Sequence, residues 1–115
     1  MFEELKEAVR VHLKSKVPGM YQLLEFLASL NYGKSCLDLL FTSPSKVYLL
    51  VLQHYQGNAT TADLIFRMLF INPITSHLRR PELEHRLLEL AKLGNDTAFL
   101  ELIRKAMIDR ASDHT

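Results

Sequence analysis

The five histidines and the single cysteine are the residues of this chain with the most chemistry to offer. Glu82 and His85 form one Glu-x-x-His pair at helical spacing, whereas a di-iron carboxylate bundle needs two such pairs. Cys36, His54 and Asp38 could supply a nucleophile, a base and an orienting acid, but no catalytic motif surrounds them. The sequence therefore predicts no catalytic residue, no metal site and no cofactor, and we expect a protein that is not an enzyme.

Polar and basic residues gather in "NPITSHLRR", at 72–80. If 45–93 forms a helix-turn-helix, residues 73–80 would be its recognition helix. The side chains offered to DNA would be Thr75, Ser76, Arg79 and Arg80. Against this, "LFINPI" places apolar residues where that motif has a polar tight turn, and Pro81 ends the helix early. A DNA-binding transcriptional regulator, with nucleic acid as a possible partner, is thus the alternative prediction.

Composition and length indicate one soluble domain covering residues 1–115. Of the 115 residues, 48% are apolar and 23% charged, and the net charge is +1. The lone cysteine cannot close an intrachain disulfide. The longest strictly apolar run, Val47–Leu52, falls far short of the ~20 residues of a membrane span, and the first residues lack the order of a secretory signal. We expect a cytoplasmic protein with no membrane partner.

Apolar residues recur at spacings of three and four along most of the chain, which predicts an all-α fold. The pattern divides into about seven or eight short helices, which we expect to pack as a compact orthogonal or antiparallel bundle of helical hairpins. Residues 47–51 would also suit a buried strand, but Ser43-Pro44 before them is typical of a helix start.

Two junctions share nearly the same sequence, "QGNATTADLIF" at 56–66 and "LGNDTAFLELI" at 93–103. In both, Gly can end one helix in a left-handed turn, and Asn or Thr can cap the next. Ser35 with Asp38, and Thr60 with Asp63, look like further capping pairs. The segment 87–107 resembles the inner half of a tetratricopeptide hairpin, without that family's Trp and Tyr positions. A true repeat and a repeated use of the same capping chemistry both remain open.

The middle of the chain carries more apolar surface than one small domain can cover. Helices 45–55 and 61–71 are apolar almost all round, and a domain of this size has room for one fully buried helix. Helix 2, whose only charge is Glu25, and helix 8 could instead cover the second of these helices. The surplus is expected to face another chain. The predicted interface consists of Tyr48, Leu49, Leu52, Ile65, Met68 and Leu69. We therefore predict a non-enzymatic protein–protein interaction or scaffold module that forms a homo-oligomer and binds another protein.

Overall fold

A computed structural model describes residues 1–112 of the chain. The helices are α1 (Glu3–Lys16), α2 (Pro18–Tyr32), α3 (Cys36–Leu40), α4 (Pro44–His54), α5 (Ala59–Phe66), α6 (Asn72–Leu78), α7 (Glu84–Lys92) and α8 (Asp96–Ser112). A π-helical turn (Arg67–Ile71) joins α5 to α6, and a 3-10 turn (Pro81–Leu83) precedes α7. The described residues contain no strand, which confirms the predicted all-α bundle of short helices.

Helix α4 lies at the centre of the bundle, where it packs against α2, α3, α5, α7 and α8. Its inner face buries Val47, Leu50 and Val51 in the hydrophobic core. The segment 47–51, which could have been a strand, is therefore the middle of the central helix. Helix α1 closes one side of the core against α2, α3 and α6, while α7 and α8 form a hairpin on the other.

The first turns of α3 and α4 each receive a hydrogen-bond acceptor from an acidic residue of another helix. The Glu25 carboxylate accepts a hydrogen bond from the backbone N–H of Cys36 at 2.6 Å, at the start of α3. Asp96, in the first turn of α8, accepts from both the N–H (2.8 Å) and the hydroxyl (3.1 Å) of Ser45, at the start of α4. Ser43, which the sequence suggested as the α4 cap, makes no side-chain cap bond.

The two similar junctions use the same capping chemistry. Asn58 accepts from the N–H of Thr61, and Asn95 accepts from the N–H of Ala98, both at 3.1 Å. Asn58 thus occupies the position that we had predicted for Thr60 at the start of α5. The predicted pairing of Ser35 with the N–H of Asp38 is confirmed at 3.1 Å.

When the two junctions are aligned in sequence, the left-handed turn that ends α4 begins one residue earlier than the turn that ends α7. After α7, Gly94 has a φ of +77°, and the N–H that closes the turn onto Leu90 belongs to Asn95. After α4, Gln56 and Gly57 both have positive φ, at +57° and +82°, and the N–H that closes the turn onto Leu52 belongs to Gly57. The two junctions therefore align in sequence but not in the register of their turns.

Helices α5 and α6 form one continuous helix from 59 to 78, where the sequence predicted a break at Asn72-Pro73. The N–H of Asn72 bonds to the carbonyl of Arg67, five residues back. In that register the carbonyl of Met68 would accept from residue 73, and proline has no N–H to give. The ring Nε2 of His12, on α1, lies 3.1 Å from this carbonyl and donates the missing hydrogen bond.

Candidate interaction surface

The six residues of the predicted interface divide into three groups in the structure. Tyr48 and Leu69 are only 5% exposed, so they belong to the core of their own chain. Leu52 and Ile65 are half-buried and pack against that core. Leu49 and Met68 are 43% and 51% exposed, and the neighbouring Leu64 is 48% exposed. Leu49 and Met68 are therefore what remains of the predicted surface. Together with Leu64 we call them the α4–α5 patch, in which Met68 belongs to the π turn that follows α5.

Tyr48 and Leu69 were placed wrongly because an almost uniformly apolar helix does not indicate which side faces its neighbours. Tyr48 turns toward α5, where its ring meets Phe66 edge to face with centroids 5.5 Å apart. Its hydroxyl donates to the carboxylate of Asp63, which also accepts from the ammonium of Lys92 at 2.7 Å. This polar cluster ties α4, α5 and α7 together behind the patch.

The same cluster shifts the protonation of its members. Burial raises the pKa of Tyr48, and its hydrogen bond to Asp63 raises it further. Burial also works to raise the pKa of Asp63, but the hydrogen bonds from Lys92 and Tyr48 outweigh that effect and hold it below its usual value. Asp63 is thus ionised and Tyr48 is neutral near pH 7, which suits a structural tie.

A second apolar surface, which the sequence reasoning did not select, lies on α2. Phe26 and Leu30, one turn apart, are 62% and 69% exposed. Leu23 and Leu27 are partly buried and lie in the same row as Phe26 and Leu30. From 23 to 30, the successive members of the row are three, one and three positions apart. We call these four residues the α2 stripe. The lack of charge around helix 2 indicates an apolar helix but no particular face. The i, i+3, i+4, i+7 spacing of this row is the sequence pattern that locates the exposed face.

Glu25, the only charge on α2, does not interrupt this surface. Its carboxylate reaches α3 to cap Cys36, and it lies on the side of the helix away from the stripe. The fully exposed residues of α2 carry no charge: they are Pro18, Gly19, Gln22, Phe26, Ser29, Leu30 and Asn31.

The residues predicted to contact DNA do not form one surface. Thr75 is buried, and its hydroxyl donates to the carbonyl of Asn72, so it cannot meet a base in this conformation. Arg80 pairs with the carboxylates of Glu82 and Asp109. Ser76 and Arg79 are exposed. Arg79 ends α6 in a left-handed conformation with a φ of +57°.

The cysteine and the cavities offer little for catalysis. Burial raises the pKa of the Cys36 thiol to about 12, and the nearby Glu25 adds to the shift, so the thiol stays protonated at neutral pH. One open cavity of about 380 Å³ lies between α1, α6 and α8 and includes Glu4, His77 and Arg110. A second, of about 490 Å³, is an apolar groove between α7 and α8. Among the described residues, no cluster of three or more His, Cys, Asp and Glu could hold a metal ion.

Comparison with protein families, with curated proteins and with solved structures finds no match for this chain. The surfaces described above are therefore the basis for any functional argument. Within the described part of the chain, no helix combines the length and the apolar character needed to cross a bilayer.

Proposed function

We propose that this protein is a helical protein–protein interaction module without catalytic activity, and that it associates with a second copy of itself. The observation that supports the proposal is the set of large apolar side chains left exposed after the core is complete. Phe26 with Leu30, and Leu64 with Met68, are each one turn apart on one helix face. Exposed apolar residues at such spacing form patches, and patches on a protein surface mark sites of association.

The core is complete without the exposed apolar side chains, which gives a further reason to expect that they contact another chain. Among the described residues it already contains twenty-nine buried apolar side chains drawn from every helix, and it is closed by α1 on one side and α8 on the other. Met1, Val11, Leu93 and Ile108 are also exposed, at positions scattered before and along α1, after α7 and on α8. The residues of the α2 stripe and of the α4–α5 patch lie outside the core as well. Covering them with another protein surface would release the water around them, which is favourable by roughly 25 cal/mol per Å² of apolar area.

Sedimentation equilibrium of the whole chain tests the proposal. We expect a dimer, or a higher oligomer, at micromolar concentration, with a dissociation constant that changes little with salt because the surface is apolar. A monomer throughout the micromolar range would contradict self-association. DNA binding stays the alternative prediction, and duplex binding that weakens steeply with salt would support it in place of our proposal.

A further inference from the structure

We infer that the second copy docks on the α2 stripe, with the two α2 helices antiparallel. The inference rests on the proposed self-association, and it assigns the contact to Leu23, Phe26, Leu27 and Leu30. The α4–α5 patch, which the sequence favoured, then lies outside the contact between the two copies.

The spacing of the stripe fits a symmetric pair. Most homodimers have a twofold axis, which brings the same patch of both subunits together. If that axis passes between Phe26 and Leu27, Leu23 faces Leu30 of the second copy, and Phe26 faces Leu27 of the second copy. All four residues then meet an apolar partner, and rows at spacings of three and four are those that interlock in paired helices.

The charge distribution favours a second copy over a charged partner. The exposed residues of α2 are all uncharged, so two copies bring no like charges together. A charged partner surface would lose hydration there without gaining an ion pair. An antiparallel arrangement also places the positive end of each helix dipole beside the negative end of the other.

The α4–α5 patch is less suited to such a pairing. Leu64 and Met68 stand beside Arg67, whereas Lys46 turns its ammonium toward α2, 5.2 Å from the centre of the Tyr32 ring. Pairing this patch with itself would bring Arg67 near its counterpart in the second copy. The repulsion between them would oppose association.

The stripe is short. The 15 residues of α2 extend about 22 Å, and small contacts are typical of weak or transient association. We therefore expect association at micromolar rather than nanomolar concentration.

Two matched double variants test the location of the contact by sedimentation equilibrium. Phe26→Glu with Leu30→Glu changes the α2 stripe, and Leu64→Glu with Met68→Glu makes the same change in the α4–α5 patch. All four side chains are about half or more exposed, so we expect both chains to keep helical circular dichroism and cooperative unfolding. The α2 variant should be monomeric, with its dissociation constant raised by more than about tenfold, while the α5 variant should dimerise like the wild type.

A wild-type dimer that survives the α2 substitutions and is lost with the α5 substitutions would overturn this inference and leave the proposed function intact. A dimer that both variants disrupt would also overturn it, because the contact would then extend beyond α2. A wild-type chain that is monomeric would instead remove the proposed self-association itself.

The antiparallel arrangement has its own test. Leu23→Glu and Leu30→Lys should each weaken the homodimer when present alone. An equimolar mixture of the two single variants should recover a dimer, since Glu at position 23 then faces Lys at position 30 of the other copy. The control is a mixture of the Leu23→Glu and Phe26→Lys chains, because position 23 does not face position 26 in the proposed register. A dimer that forms in the control mixture but not in the first mixture would exclude the antiparallel register.

Discussion

The carbonyl oxygen of Met68 depends on a histidine from another helix for its hydrogen bond. Pro73 cannot donate to it, the N–H of Asn72 is taken by Arg67, and the ring of His12 supplies the donor. A carbonyl only accepts, so Nε2 of His12 carries the hydrogen. One proline therefore determines both the π turn of its own helix and the role of a side chain 61 positions earlier (73 minus 12).

Replacing His12 should therefore cost stability in a way that depends on Pro73. His12→Ala removes the donor, and we expect a loss of about 1 kcal/mol in the free energy of unfolding. In a Pro73→Ala background, residue 73 has an N–H of its own, and the loss from His12→Ala should shrink. A double-mutant cycle measured by urea unfolding gives the coupling. Equal losses in both backgrounds would show that the proline does not create the need for the histidine.

Gly94 and Gln56 adopt the same left-handed backbone conformation at different steric cost. Both have positive φ at a helix end. Glycine adopts this conformation without steric cost, whereas a residue with a Cβ is strained there by roughly 1–2 kcal/mol. After α7 Gly94 alone takes the positive φ, whereas after α4 both Gln56 and Gly57 do.

At the scale of the element, capping in this bundle is shared between helices distant in sequence. Asp96 bonds to Ser45 across 51 positions, and Glu25 bonds to Cys36 across 11. In the loop 41–43, Ser43 makes no side-chain cap bond, and the carboxylate of Asp96 binds the first turn of α4 instead. At the start of α3, the local Ser35 cap and the Glu25 carboxylate act together. Such caps hold the start of one helix and fix its distance to another.

Asp96→Ala should accordingly weaken α4 although it lies in α8. The change leaves the N–H and hydroxyl of Ser45 without their acceptor, and we expect a loss of about 1–2 kcal/mol. Asp96→Asn keeps an acceptor oxygen and should cost less. The neighbouring exposed Thr97→Ala is the control and should change stability little. Thermal unfolding followed by circular dichroism measures all three, and equal values for Asp96→Ala and Thr97→Ala would refute the cap.

The sequence predicted correctly those features of the fold that depend only on residues close together in the chain. The helical class, the Ser35 and Asn95 caps and the left-handed Gly94 all follow from residues within one turn of each other. The α4 cap, the His12 donor and the continuous helix through Pro73 could not be predicted, because each depends on a contact between distant helices. The same holds for the candidate surface, since the burial of Tyr48 depends on where Asp63 and Phe66 come to lie.

At the scale of the whole molecule, ion pairs across the bundle link its stability to pH. Hydrogen bonds from Lys6 and Ser35 hold the pKa of Asp38 below its usual value, and Asp63 is lowered as described above. A carboxyl whose folded pKa is depressed contributes stability above its unfolded pKa of about 3.9 and loses it as pH falls through the folded value. The protein should therefore lose stability in acid below about pH 4.

Asp63→Asn isolates one part of this effect. At pH 7 we expect the variant to be less stable than the wild type by about 1–2 kcal/mol, because Lys92 and Tyr48 lose a charged acceptor. The difference should narrow as pH falls and the wild-type carboxyl takes up a proton. Glu101→Gln, which removes only an exposed pair with Arg104, should change stability by less than about 0.5 kcal/mol. Urea unfolding at a series of pH values checks both, and a pH-independent difference would contradict the assignment.

The bond from Asp96 to Ser45 also bears on the order in which the chain assembles during synthesis. Helix α4 is the hub of the bundle, yet its first turn is completed by a residue that leaves the ribosome about fifty residues later. Until then we expect the first turn of α4 to lack this acceptor. A residue of α8 thus completes the first turn of the central helix, and a nascent chain that stalls before α8 is expected to carry an unfinished centre.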